Sequence, residues 1–113
     1  MTEEQRHDIK EKIIHDLDTL AREIAELEVL IRPISPECAL GDLARFELMN
    51  DQRISEKTLK EALIRKNRLE YALRKINTPE YGHCKECEEE IPIQRLLILP
   101  ESDLCMECAA QQH

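Results

Sequence analysis

Four cysteines near the C-terminal end carry the clearest chemical signal in the chain. Cys84, Cys87, Cys105 and Cys108 stand in a C-x2-C-x17-C-x2-C arrangement. Two residues between thiolates let a tight turn aim both sulfurs at one ion, and two such turns complete a tetrahedron. A shell of four cysteines leaves no open coordination position, so the ion it predicts is one structural zinc rather than a catalytic one. A module of this size buries too little to fold by burial alone, and metal binding supplies folding free energy. Disulfides or a redox C-x-x-C are the competing reading. The default cytosolic setting and the absence of a βαβ pattern count against it. His83 adjoins Cys84 but is superfluous beside four thiolates. His7, His15 and His113 have no companion ligands and read as solvent-exposed. Cys38, the fifth cysteine, reads as a small apolar filler rather than a reactive thiol.

The stretch IPIQRLLILP lies between the cysteine pairs, with proline at both ends. It reads as short strands or extended turns. Leu96, Leu97, Ile98 and Leu99 are expected to form an apolar cushion where this module meets the rest of the protein. A short helix starting near Cys105 is expected to close the chain.

The elements that must position the site are helical. The chain has 113 residues, one Phe, two Tyr, no Trp and only two glycines, and 35% of it is charged. That composition disfavours a broad aromatic core and favours long helices. Ile9, Ile13, Leu17, Leu20, Ile24, Leu27 and Ile31 are spaced 4, 4, 3, 4, 3 and 4 apart, a near-heptad seam over about Thr2 to Arg32. Pro33 and Pro36 stop it. After Gly41, Asp42 is placed to cap a new helix, and Asn50-Asp51 is a potential interruption. A second seam follows through Leu59, Ala62, Lys66, Leu69, Leu73 and Ile76. Lys66 fits there if its stem lies along the interface and its ammonium reaches solvent. Asn77-Thr78-Pro79 ends this helix. The expected fold is mainly α: an antiparallel two-helix coiled-coil hairpin over residues 1–78, with its tip at about 33–50, and a four-cysteine module over 79–113. Each seam is expected to bury against the other within one chain, which makes a monomer.

Charge narrows the partners. The net charge is −8. Residues 1–78 hold 16 acidic and 14 basic residues, a net of −2, whereas residues 79–113 hold eight and two, a net of −6. A module that grips DNA phosphates needs Lys and Arg in quantity, and here it has only Lys85 and Arg95. Direct DNA binding is therefore not expected. No run of 18 apolar residues suggests a membrane helix. The charged start TEEQRHDIKEK does not read as a secretory signal, so a cytoplasmic setting is expected. No nucleophile–base pair, phosphate loop or open metal position suggests an enzyme.

The segment YGHCKECEEEIPIQRLLILPESDLCMEC, Tyr81 to Cys108, resembles the zinc finger of the DksA/TraR family of bacterial transcription regulators. The shared features are an aromatic-Gly-x-Cys-x-x-Cys start, an Ile-rich middle with Arg-Leu, a Pro, and Leu-Cys-x-x-Cys. The preceding hairpin agrees with the family's coiled coil. The resemblance implies a protein that binds RNA polymerase and inserts its coiled-coil tip into the secondary channel, in some members together with ppGpp, without reading promoter DNA. At the tip, the family's Asp-x-x-Asp-x-Ala pattern is met only by Asp42-Leu43-Ala44. Ala39 stands where the first Asp would be, and Glu37 is out of register. The tip residues implied as partner-binding are Glu37, Asp42, Ala44 and Arg45. The family usually has Gly after the first cysteine pair, where the knuckle needs positive φ. This chain has Glu88 there, at a cost of about 1 kcal/mol. The alternative function is a helical adaptor that binds some other protein through the hairpin.

Overall fold

The computed structural model describes residues 1–31 and 41–111. Two long helices dominate it: α1 (Glu3–Leu30) and α2 (Asp42–Lys75). Two short ones follow, α3 (Ile93–Ile98) and α4 (Met106–Ala110). No strand forms among the described residues; there is one isolated antiparallel bridge, His83 with Glu90.

Helix α1 begins with a reciprocal cap. Thr2 Oγ1 accepts from Gln5 N–H at 3.1 Å, and Gln5 Oε1 accepts from Thr2 N–H at 3.0 Å. Two of the four unpaired donors of the first turn are thereby satisfied. Glu3 and Glu4 in that turn complement the helix dipole. Ile9, Ile13, Leu20 and Ile24 of α1 are buried, and so are Ala62, Leu69 and Ala72 of α2 and Ile76 just after it. The two seams thus close on each other within one chain.

The pairing is antiparallel. Asp16 of α1 meets Arg65 of α2, and Met1 lies beside Gly82, just past the C-terminal end of α2. Lys66 is half-buried in the seam and reaches Glu70 at 3.9 Å. Its stem lies in the interface and its charge stays outside.

Three local expectations change. Helix α2 runs unbroken through Asn50 and Asp51, both exposed. Facing water, their side chains have no buried backbone group to compete for, so the helix tolerates them. The N-cap of α2 is Gly41, with no side-chain hydrogen bond, while Asp42 is the first helical residue. Asp42 therefore acts through its charge at the positive end of the helix rather than as the cap. The third change concerns IPIQRLLILP, which contains α3 rather than strands or extended turns. Pro92 sits at the N-cap position, where its missing donor costs nothing. Of the four residues expected as a cushion, only Leu96 is buried (0% exposed); Ile98 is 71% exposed. A single helical turn can bury one face, not four consecutive side chains.

The hairpin is unevenly packed. From Asp42 to Glu61, α2 has no buried residue, although Leu43, Phe46 and Ile54 are large and exposed. The core concentrates in the other half of the hairpin and at the cysteine module, where Cys84, Ile91 and Leu96 continue it.

Candidate metal centre

The four cysteines converge. One sulfur each from Cys84, Cys87, Cys105 and Cys108 lies within 4.8 Å of all the others. A tetrahedral zinc–thiolate centre with bonds of about 2.3 Å has sulfur–sulfur edges of about 3.8 Å. Cys87 Sγ and Cys105 Sγ stand 3.7 Å apart, so one edge already has the length that zinc requires. Exposed His83 is not in the group. His7 is exposed and pairs with Glu11, and His15 is exposed.

The first pair sits on a tight backbone turn. Cys84 N–H donates to Glu89 O at 2.8 Å, Glu88 N–H donates to Cys84 O at 2.9 Å, and Ile91 N–H donates to Gly82 O at 2.7 Å. These bonds force two left-handed residues, Gly82 (φ 89°) and Glu88 (φ 64°). Glu88 thus holds the positive-φ position expected of it, without the glycine that would hold it most cheaply. The second pair sits on a helix start. Cys105 is the N-cap of α4 and its sulfur accepts from Cys108 N–H at 3.5 Å. Cys108 follows on the same turn.

Polar contacts lock the two halves together. Lys85 N–H donates to Asp103 O at 2.9 Å, and Lys85 Nζ lies 3.3 Å from Asp103 Oδ2. Arg95 Nε donates to Ser102 Oγ and to Leu104 O, both at 3.2 Å. These bonds fix the segment that delivers Cys105.

The thiols divide protons unevenly. Cys84 is held down at about 6, first by the N–H of Cys87 and against its own burial, with help from the N–H groups of Cys105 and Glu86. Cys87 feels the N–H of Glu89 pulling it down, but burial and the sulfurs of Cys84 and Cys105 outweigh this and push it up. Cys108 is pushed well up, first by Cys105, then by Cys84 and burial. Four sulfurs this close cannot all ionise without a cation between them. A divalent ion removes that conflict, and the donor set suits zinc.

The module is tied to the hairpin by an ionic chain. Asp16, on the buried face of α1, lies 3.0 Å from Lys12 Nζ and 3.3 Å from an Arg65 terminal nitrogen. Arg65 Nε reaches Glu101 Oε1 at 3.1 Å. One guanidinium thus links α1, α2 and the segment before Cys105. Glu101 Oε2 is buried with no hydrogen-bond partner. Next to it, Tyr81 donates its hydroxyl to Pro100 O at 2.9 Å. Burial, then the Glu101 carboxylate, pushes the Tyr81 hydroxyl well above its ordinary range, so it stays a donor. Neither linkage of Arg65 is legible in the sequence, because its partners Glu101 and Asp16 lie 36 and 49 residues away.

Of the implied tip residues, Asp42 and Ala44 are exposed and Arg45 is partly buried. Glu37 and Cys38 lie outside the described residues.

Comparison with known proteins agrees with this geometry. The prokaryotic dksA/traR C4-type zinc finger matches residues 79–112. Over 41 residues the chain is 44% identical to the RNA polymerase-binding transcription factor DksA of Haemophilus influenzae, covering 36% of this chain and 28% of that protein. It is 41% identical over 41 residues to the protein of the same name from Escherichia coli K12, covering 36% and 27%. The matched segment therefore spans under a third of the length of these relatives. The backbone match is longer. The structure of transcription factor DksA2 from Pseudomonas aeruginosa superposes with a TM-score of 0.75 and 28% identity, over 99% of this chain and 85% of that one. The four converging sulfurs and the matching segment identify residues 79–112 as a C4-type zinc finger of the DksA/TraR kind, carried on a hairpin that shares the architecture of DksA2.

Proposed function

We propose that this protein is a transcription regulator that binds RNA polymerase and inserts the tip of its hairpin into the secondary channel, with a structural zinc fixing the hairpin base. The observation that carries the reading is the backbone match, over nearly the whole chain, to a transcription factor. The physical design is compatible with it. A rod with extents of 60 × 29 × 18 Å can reach deep into a narrow opening. Its core lies at the zinc end, which leaves the far half of α2 free to meet a partner. In this reading residues 1–78 are the inserting hairpin, with a tip at about 33–50, and residues 79–113 are the base. Asp42 at the start of α2, with Ala44, Arg45 and Glu37, forms the partner-facing end.

The protein works in the cytoplasm as a monomer and does not read DNA sequence. No described helix is long and apolar enough to cross a membrane. It is not an enzyme, because four protein thiolates saturate the ion and leave no position for substrate.

Co-purification with core RNA polymerase tests the reading. The wild-type chain is expected to bind at micromolar concentration. Asp42→Ala is expected to keep binding while losing most of the effect on transcription initiation in a purified system. No association of the wild-type chain would remove the proposal. Ala39 in place of the family's first tip aspartate favours a second reading, a helical adaptor for another protein. Recovery of a different partner, indifferent to Asp42→Ala, would support that alternative.

A further inference from the structure

Charge is distributed across the hairpin in a way that the net value hides. The whole chain carries −8, yet residues 53–75 of α2 hold eight basic and three acidic residues, a balance of +5. Everything else therefore carries −13. Helix α1 alone has nine acidic and four basic residues, a balance of −5.

The positive residues form a line. Arg53, Lys57, Lys60, Ile64, Arg68 and Tyr71 are spaced 4, 3, 4, 4 and 3 apart and are all exposed. That spacing keeps them on one face of the helix. The line runs about 27 Å at 1.5 Å per residue. It lies on the side of α2 away from the seam of Leu59, Ala62, Leu69 and Leu73. Arg53, Lys57, Lys60 and Arg68 make no ion pair among the described residues. Glu56 and Glu61 flank the line without cancelling it. At its base, Arg74 and Lys75 lie 5.7 and 5.8 Å from the Tyr71 ring centre, which holds the ring in a cationic setting.

We infer that this outer face of α2 docks against an acidic protein surface and sets the rotation of the hairpin about its long axis. The inference rests on the polymerase reading, since the acidic surface is then one wall of the channel that receives the hairpin. A rod entering an opening has one rotational freedom that its shape alone controls poorly. A positive face on α2 opposite a negative face on α1 removes that freedom, because only one rotation avoids like-charge contact.

One observation favours protein over nucleic acid as the occupant. Ile64 (44% exposed) and Tyr71 (55% exposed) interrupt the cations with apolar surface that a phosphate backbone does not use but a protein wall does.

The test is the K57Q/K60Q/R68Q triple variant, with the K10Q/R22Q double variant on α1 as the control and the K57Q/K60Q double variant as its charge-matched counterpart. Glutamine is a good helix former, so all three should keep the wild-type helicity and zinc content, which are measured first. Association with core RNA polymerase is then followed at low and at high salt. The triple variant is expected to bind about tenfold more weakly at low salt, mainly through slower association, with a flattened salt dependence. The control is expected to match the wild type. Wild-type binding with an unchanged triple variant would overturn this inference alone. Absence of wild-type binding would overturn the polymerase reading and this inference with it. Retention of the wild type by a duplex or single-stranded oligonucleotide, lost in the triple variant, would assign the face to nucleic acid instead. A wild-type dimer in sedimentation that the triple variant abolishes would assign it to a second copy of the chain.

Discussion

Glu88 and Gly82 are the two left-handed residues of the first cysteine turn, and they make opposite predictions. An L side chain in that region costs about 1–2 kcal/mol. Glu88 carries the cost now, so Glu88→Gly is expected to stabilise the zinc-loaded protein by about 1 kcal/mol, less what the freer unfolded chain gives back. Thermal unfolding of the loaded form measures it. Gly82→Ala introduces the same cost and a second one, because a Cβ there would stand 2.9 Å from Met1 Cε. The methionine end can swing away, so a loss of about 1–2 kcal/mol is expected, dominated by φ. The cysteines set the pH response. Without metal, Cys87 and Cys108 are pushed up, so their protons favour the metal-free fold at low pH and must be displaced when zinc binds. In the loaded module the ion drives all four thiols down. The stability it contributes is therefore present above the thiol range and lost as pH falls. The difference in melting temperature between loaded and chelator-treated protein is expected to narrow steadily from about pH 8 to about pH 5. A constant difference would contradict a thiolate site. The four ligands and the glycine-less knuckle position are legible in the residues themselves, because spacing and φ demand are local. The uneven sharing of protons is not, because it depends on which sulfur meets which N–H.

At the scale of the elements, the seams were legible and the ionic chain between them was not. Leu69 is fully buried between α1 and α2. Leu69→Ala is expected to cost about 2–5 kcal/mol in chemical unfolding, the range for a core leucine that leaves a cavity. Nothing in the local sequence sets Arg65 apart from the other cations of α2. In the fold it is the shared partner of Asp16 and Glu101, whose side chains are 9% and 12% exposed. Removing it leaves two nearly buried carboxylates short of a partner, although Lys12 still serves Asp16. Arg65→Ala is expected to cost about 1–3 kcal/mol, below the full value for a buried pair because the guanidinium is itself partly in water. Its signature is a loosened module: faster amide exchange around Glu101 to Cys105 with the α1–α2 core unchanged. Exchange that rises equally along both helices would mean that Arg65 serves only the hairpin. The helix α3 was missed for a related reason. IPIQRLLILP has the β-branched and proline content of an extended segment, but the short span between two metal-held turns leaves room for one compact turn that buries Leu96.

For the whole molecule, the division of labour follows from where burial is concentrated. One core runs from Ile9 and Ile13 through Leu69 and Ile76 into Cys84, Ile91 and Leu96, so the cysteine module and the adjoining half of the hairpin share it. Metal removal is therefore expected to do more than release the last 35 residues. It should lower the helical signal and broaden the melting of the proximal hairpin, which circular dichroism before and after chelation would detect. Unchanged helicity would mean that the hairpin stands without the module. The sequence by itself determined the four ligands, the two seams, the antiparallel hairpin and the acidic balance of the module, because each is written in local spacing or in composition. Only the tertiary structure decided that Asp16, Arg65 and Glu101 form one chain of charge, that Gly41 rather than Asp42 caps α2, and that one leucine of four enters the core. These depend on which residues meet across 36 to 49 positions, on where the backbone of α2 first turns helical, or on which face a short helix presents. So the four cysteines announce a metal site from the sequence, but their work of joining hairpin to base is set by packing and charge contacts that no local pattern encodes.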